Sequence, residues 1–344
     1  MSTHAPARSE PFTDIYQNPP FKDMVWVPGG TFMMGSDRHY PEEAPVHSKT
    51  VSGFWMDKCL VTNSDFARFV DATGYLTLAE HAPDPALYPG ALPDMLVPGS
   101  VVFKSPQRRV DLRNHFNWWQ WIAGANWRHP EGPESSLENR DDHPVVHVAY
   151  EDVEAYAAWA GKQIPDEAEW EFAARGGLEQ AVYTWGDEFA PDGKMMANIW
   201  QGEFPLINLM LDGFAGTSPV GSFPANGYGL YDMAGNVWEW TKDWFTSHHK
   251  VDRPCCSQHT ADHGREGSYD PQTPNIQIPR KVLKGGSFLC AANYCLRYRP
   301  AARIAQQVDT GTCHQGFRCI VRPLRTGHIE ARSTSDCTPN KDTQ

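Results

Sequence analysis

Asn226-Gly227-Tyr228-Gly229-Leu230-Tyr231-Asp232-Met233-Ala234-Gly235-Asn236-Val237-Trp238-Glu239-Trp240 reads as glycine turns between aromatic anchors, with oxygen-bearing side chains spaced along it. From Asp232 to Glu239 the side-chain and backbone oxygens can surround a hard ion, and so can Asn198-Ile199-Trp200 together with Asp212-Gly213-Phe214. Calcium takes six to eight such ligands and tolerates carbonyls and glycine turns. A turn with a capping acid is the other reading of each segment.

Composition agrees with a turn-rich chain. The 344 residues include 28 Gly, 28 Pro and 13 Trp, with 40% hydrophobic content, which predicts aromatic packing and little regular structure in a core of good size. A formal charge of −12 without any Lys/Arg run argues against nucleic acid and against an anionic membrane surface. The first ten residues hold no apolar signal core, and no run of eighteen apolar residues occurs. With eight cysteines at ordinary density, the expectation is a cytoplasmic protein with reduced thiols.

Two of those thiols stand out in Lys284-Gly285-Gly286-Ser287-Phe288-Leu289-Cys290-Ala291-Ala292-Asn293-Tyr294-Cys295-Leu296-Arg297-Tyr298-Arg299, read as a strand, a turn and a second extended piece. If residues 291–293 loop back, Cys290 and Cys295 form a two-sulfur clamp. Such a clamp has too few ligands for a closed zinc or iron–sulfur site and best matches monovalent copper. A local disulfide and a pair of buried thiols are the alternatives.

Along the chain, residues 1–22 read as a flexible segment, 23–324 as one domain and 325–344 as a disordered tail. Residues 24–35 predict two short strands about a Pro-Gly-Gly turn, and Val51–Met56 predicts another. Thr62 to Asp65 offer caps for a helix ended by Gly74. Residues 80–142 read as irregular, with Trp118, Trp119, Trp121 and Trp127 filling a core or lining a peptide groove. A buried strand is expected from His143 to Tyr150, its two histidines structural or substrate-facing, and a helix from Tyr150 to Gly161. In the helix after Pro165, ended by Gly176, the acids Glu167, Glu169 and Glu171 suit the positive N-terminal end.

The succession Val27-Pro28-Gly29-Gly30-Thr31-Phe32-Met33-Met34-Gly35-Ser36, Pro165-Asp166-Glu167-Ala168-Glu169-Trp170-Glu171, the opening stretch and Gly316-Phe317-Arg318-Cys319 resembles the sulfatase-modifying factor superfamily over roughly residues 24 to 323. The resemblance implies an α+β fold, a C-type-lectin-like variant with sparse secondary structure. That superfamily also holds non-catalytic binding modules and iron-dependent sulfoxide synthases. The latter usually carry a helical domain with an H-x3-H-x-E motif, which this chain lacks.

Within the superfamily, Gly285 to Cys290, Tyr294 to Arg299 and Ala301-Ala302-Arg303 resemble the formylglycine-generating enzymes. The resemblance implies oxygen-dependent oxidation of a cysteine, in a Cys-x-Pro-x-Arg segment of an unfolded or nascent sulfatase, to Cα-formylglycine. It implies monovalent copper held nearly linearly by Cys290 and Cys295, Ser287 and Trp238 lining an oxygen pocket, and Tyr294 and Arg303 orienting the reactants. It further implies calcium held by Asn198, Ile199, Asp212 and Phe214, and a second calcium held by Asp232, Gly235, Val237 and Glu239. Ala174 and Pro300 stand where secreted relatives have bridging cysteines, so both bridges are expected to be absent and Cys319 to lack a mate. His314 replaces an asparagine of some members, and the vicinal Cys255-Cys256 has no assigned role.

Overall fold

A computed structural model describes residues 18–249 and 264–323. Its regular elements are short: strands β1 Met24–Val27, β2 Gly30–Met34, β3 His47–Val51, β4 Phe54–Asp57, β5 Gly99–Phe103, β6 Trp119–Ala123, β7 Trp238–Trp244, β8 Arg280–Lys284, β9 Arg303–Gln307, β10 Gln315–Gly316 and β11 Ile320–Val321, and helices α1 Asn63–Thr73, α2 Tyr150–Trp159 and α3 Glu167–Arg175. This is the sparse α+β architecture expected. The strands form a three-stranded sheet in the order β1-β4-β11, a four-stranded sheet in the order β10-β7-β8-β9, and two hairpins, β2-β3 and β5-β6. Among the strands of the described residues, only β10 with β7 pairs in parallel.

The helices start where the sequence says they should, because their caps are local. Thr62 and Asp65 form a capping box, the Asp65 N–H donating to Thr62 Oγ1 at 3.2 Å and the Thr62 N–H to Asp65 Oδ2 at 3.1 Å. Asp166 and Glu169 repeat the device at α3, where Gly176 ends the helix at φ 57°. A side chain at Gly176 would also meet the Gly227 amide at 2.8 Å, so α3 docks directly on the opening stretch of sequence.

Other expectations are corrected. Val51–Met56 is not one strand: β3 and β4 belong to different sheets, and between them Gly53 admits the Trp26 ring, which an added Cβ would meet at 2.3 Å. The run from His143 to Tyr150 is buried but not a strand. His147 lies at φ 61°, and its ring is held by Ser100 Oγ and by the Pro130 carbonyl, each at 2.8 Å, so it is a packed core residue. His143 Nδ1 meets Thr217 Oγ1 at 2.9 Å. Residues 80–142 contain the β5–β6 hairpin, while Trp118 and Trp127 are core residues, so these two do not line an open groove. The flexible segment expected at 1–22 lies mostly outside the described residues, as do the tail and Cys255-Cys256.

The acids of α3 do more than face the helix dipole. Glu171 accepts from Lys284 Nζ at 3.0 Å and pairs with Arg175 at 2.6 Å; Glu167 pairs with Arg303 at 2.7 Å; Glu169 accepts from Arg322 Nε at 2.7 Å. Burial alone would raise the Glu171 carboxyl, but Lys284 and Arg175 overcome it and bring it to about 2. A depressed acid contributes stability that is complete above its ordinary value near 4.5 and is lost as pH falls through about 2. Glu171→Gln is expected to cost about 3–5 kcal/mol in urea unfolding at pH 7, by stranding a buried cation. It should also flatten the acid limb of the stability curve; an unchanged midpoint would show that the pair carries no stability.

Candidate active site

The loop between β8 and β9, residues 285–302, carries the thiols, and its shape follows from a close approach at its start. Gly286 sits at φ 75°, and an added Cβ would lie 2.9 Å from the Arg297 carbonyl oxygen, so the two limbs of the loop touch there. The Cys295 N–H then donates to the Ala291 carbonyl at 2.7 Å, closing the return through Ala291-Ala292-Asn293. The sulfurs of Cys290 and Cys295 end 3.3 Å apart. That is too far for a disulfide bond of about 2.05 Å and fits a thiol donating to a thiolate. A nearly linear two-sulfur grip on a metal requires the pair to spread from this separation.

The two thiols differ in setting. Cys290 is 2% exposed and packs in the main core cluster with Trp238; Cys295 is half-buried on the surface side. Burial, then the hydrogen bond and charge of its neighbour, push Cys290 well above the ordinary thiol range. The hydrogen bond with Cys290 outweighs burial at Cys295 and, with the nearby Arg297 guanidinium, brings it to about 7. Arg297 Nη1 stands 3.8 Å from that sulfur. The guanidinium beside it thus favours Cys295 over Cys290 as the sulfur that carries negative charge.

The second limb, expected to be extended, is an irregular segment tied to the turn Pro41–Glu43. The Arg297 guanidinium lies 3.7 Å over the Tyr40 ring and bonds Glu42 at 2.7 Å. Arg299 forms a two-pronged pair with Glu43, and the Leu296 N–H donates to the Tyr40 hydroxyl at 3.0 Å. No sequence signal located these partners, which lie about 255 residues away in the chain.

Of the other expected residues, Ser287 and Trp238 are both buried, Trp238 in the same core cluster as Cys290. Ser287 is fully buried one turn from Cys290; its Oγ accepts from the Leu289 N–H at 3.3 Å, and its own N–H points to the Cys290 sulfur at 3.4 Å. Tyr294 is 39% exposed, stacked on Phe204 at 4.5 Å and edge-on to Trp118 at 5.4 Å, forming an aromatic wall beside Cys295. Arg303 is buried at the stem of the loop, where its guanidinium pairs with Glu167 and donates to the Glu42 carbonyl at 3.1 Å and to the Thr246 carbonyl at 2.8 Å. His314 bonds Thr312 Oγ1 and packs 4.8 Å from Trp119; burial keeps it neutral, near 3.

The two oxygen sets part company. In the first, Asn198 Oδ1 is buried without a partner, and the Gln201 amide nitrogen reaches both the Ile199 carbonyl and, at 2.7 Å, Asp212 Oδ2. A carbonyl and a carboxylate that share one donor, next to an amide oxygen with no partner, fit a hard cation. In the second, both Glu239 oxygens are taken by Arg318, at 2.7 and 3.0 Å, and one also by the Trp170 indole at 2.9 Å. Asp232 accepts from the Gly221 N–H at 2.7 Å. Those residues do not fit a cation.

Comparison with known proteins places the chain in a family. Residues 11–323 match the sulfatase-modifying factor enzyme 1-like domain. The chain is 52% identical to the formylglycine-generating enzyme of Mycobacterium tuberculosis, over 88% of this chain and 98% of the relative. It is 45% identical to the formylglycine-generating enzyme of Mus musculus, over 88% and 76% respectively. The structure of PvdO from Pseudomonas aeruginosa covers 88% of this chain and 96% of its own at a TM-score of 0.54 and 24% identity, a likeness of fold. Fold and site thus define an enzyme domain of the sulfatase-modifying factor type. Within that class, the chain belongs to the formylglycine-generating enzyme family.

Gly286→Ala is expected to separate the limbs of the loop. Mild oxidation, followed by mass analysis of the peptide holding Cys290 and Cys295, should then couple the two sulfurs at least about tenfold more slowly than in the unmodified chain. Gly216→Ala, whose Cβ meets nothing within 4 Å, serves as the control and should leave the rate unchanged.

Proposed function

We propose that the thiol pair oxidises a cysteine in a Cys-x-Pro-x-Arg segment of an unfolded or nascent sulfatase to Cα-formylglycine, using dioxygen and monovalent copper. The observation that carries the reading is the convergence of Cys290 and Cys295 at 3.3 Å, one sulfur in the core and one toward the surface. Two sulfurs that no His, Asp or Glu joins as a metal-type group among the described residues suit a soft monovalent ion, and these two residues would hold it. When bound, copper supplies an open position for a further sulfur and a centre at which dioxygen is reduced.

The chain's own residues divide the remaining work. The Ser287 hydroxyl accepts the Leu289 amide, so its proton is left to donate toward a reduced oxygen species. Trp238, 2% exposed, keeps water from the buried side of the pair. Arg297 stabilises the negative sulfur, and Tyr294 walls the open side. The electrons must balance: the client side chain gives up two in becoming the aldehyde while its sulfur leaves as sulfide. Dioxygen takes four in becoming two waters, so two added thiols supply the other two by joining as a disulfide. A reducing, cytoplasmic setting goes with this reading, supported by Cys59, Cys290, Cys295, Cys313 and Cys319 all being free. No helix among the described residues is long and apolar enough to cross a membrane.

Copper-loaded protein, incubated with a Cys-x-Pro-x-Arg peptide, dioxygen and a thiol reductant, is expected to yield the aldehyde peptide by mass. Cys290→Ser or Cys295→Ser should lose at least about a thousandfold in rate, and full activity in either would rule out the clamp. Calcium at Asn198, Ile199, Asp212 and Phe214 belongs to the same reading as a structural ion. Its removal by a chelator should lower stability by about 3 kcal/mol relative to a hundredfold excess over Kd. Asp212→Asn should abolish that difference; a chelator effect that survives the substitution places the ion elsewhere.

A further inference from the structure

Four exposed apolar side chains fall within five residues: Ile207, Leu209, Met210 and Leu211, at 48, 57, 50 and 67% exposure. The proposed reaction uses none of them. Leaving a side chain of this size in water forgoes about 1.5–3 kcal/mol of burial, and a concentration of them marks an interaction surface.

The segment that presents them is held in place. The Ile207 N–H donates to the Glu203 carbonyl at 2.8 Å and the Leu209 N–H to the Gln201 carbonyl at 2.6 Å. Asn208 Oδ1 accepts from the Met210 N–H at 3.0 Å, and Ser105 Oγ donates to the Pro205 carbonyl at 2.8 Å. Met210 sits at φ 51°, in the left-handed region, a conformation of the kind that costs about 1–3 kcal/mol and persists only where its surroundings impose it. The apolar faces are thus aimed outward by a fixed backbone.

The ledge is continuous with the thiol site. Phe204 precedes it and stacks on Tyr294, the neighbour of Cys295; Trp118 and Trp200 meet Phe204 edge-on at 5.4 and 5.3 Å. No charged residue lies between Glu203 and Asp212, and Glu203 is paired with Arg109 at 2.7 Å.

We infer that this ledge receives apolar side chains of the client polypeptide that flank the segment being oxidised, an inference that rests on the reaction proposed above. A folded protein keeps such side chains in its own core, whereas an unfolded chain displays them beside the reactive cysteine. The ledge therefore favours an unfolded client with apolar flanks over a polar one.

The test compares the protein with its Ile207→Ser, Leu209→Ser, Leu211→Ser triple variant, all three positions being exposed. Two labelled peptides carry the Cys-x-Pro-x-Arg segment, one flanked by Leu and Phe and the other by Ser and Gly. Binding is read by fluorescence anisotropy with the reactive cysteine replaced by serine, so the readout needs no turnover. The unmodified protein is expected to bind the apolar-flanked peptide about tenfold more tightly, and the variant to bind both alike. With cysteine peptides, KM should rise about tenfold for the apolar-flanked one alone, kcat being unchanged. Equal binding of both peptides by the unmodified protein, or a preference that survives in the variant, overturns the ledge. Preference for the apolar flank with no aldehyde from either peptide sinks the reaction instead and leaves the ledge standing. Self-association lost in the variant, without any peptide preference, assigns the surface to a second copy of the chain and overturns the client reading.

Discussion

Lys284 ends β8 and Arg303 begins β9, and the two strands pair so that these cations stand directly opposite one another in the core. Like charges in that position destabilise a sheet, and buried charges without partners cost several kcal/mol each. Glu171 and Glu167, a turn apart on α3, answer them, Glu171 holding Lys284 and Glu167 holding Arg303. The loop with both thiols leaves the sheet at Lys284 and returns at Arg303. Its two stems are thus fixed to the same helix face by paired charge, and the sheet cannot form this register unless α3 is in place.

The same logic extends along the loop. Arg297 and Arg299 reach Glu42 and Glu43 on a single turn, so the limb carrying Cys295 is held by charge where no strand holds it. Buried ion pairs are weak evidence for net stability, since apolar residues of equal volume often do as well. What they supply here is position: each guanidinium has a fixed fork geometry, and two in alternate positions fix both the path and the twist of the limb. A site that must bring two sulfurs within contact distance needs that positional control, and a fold poor in ladders obtains it from side chains.

Helix limits were legible because they are set within a few residues. Thr62 with Asp65, and Asp166 with Glu169, are complete capping boxes in the sequence itself. The thiol pair was legible from its spacing and flanking glycines. The breaks were not: β3 and β4 look like one strand until the Trp26 ring is seen to need the space at Gly53. The stretch around His147 has the apolar pattern of a strand, yet its backbone turns to bring the imidazole to Ser100 and Pro130. The partners of Arg303 were not legible either, because they come from residues 42, 167 and 246. Pairings at such separations leave no periodicity to read.

The two oxygen-rich segments sharpen the point. Both offer acids, amides and glycine turns at spacings suited to a hard cation, and the second carries two carboxylates. Arg318 decides against the second. Fully buried, it takes Glu239 with two nitrogens and adds the Tyr231 carbonyl at 2.8 Å, so the cation this segment neutralises is already part of the chain. Around Asn198 the described side chains supply no such guanidinium, only the neutral amide of Gln201. A neutral amide leaves the Asp212 carboxylate uncompensated and Asn198 Oδ1 unbonded. Whether such a segment fits a cation is therefore decided by one residue distant in sequence, not by the ligand types that the two segments share.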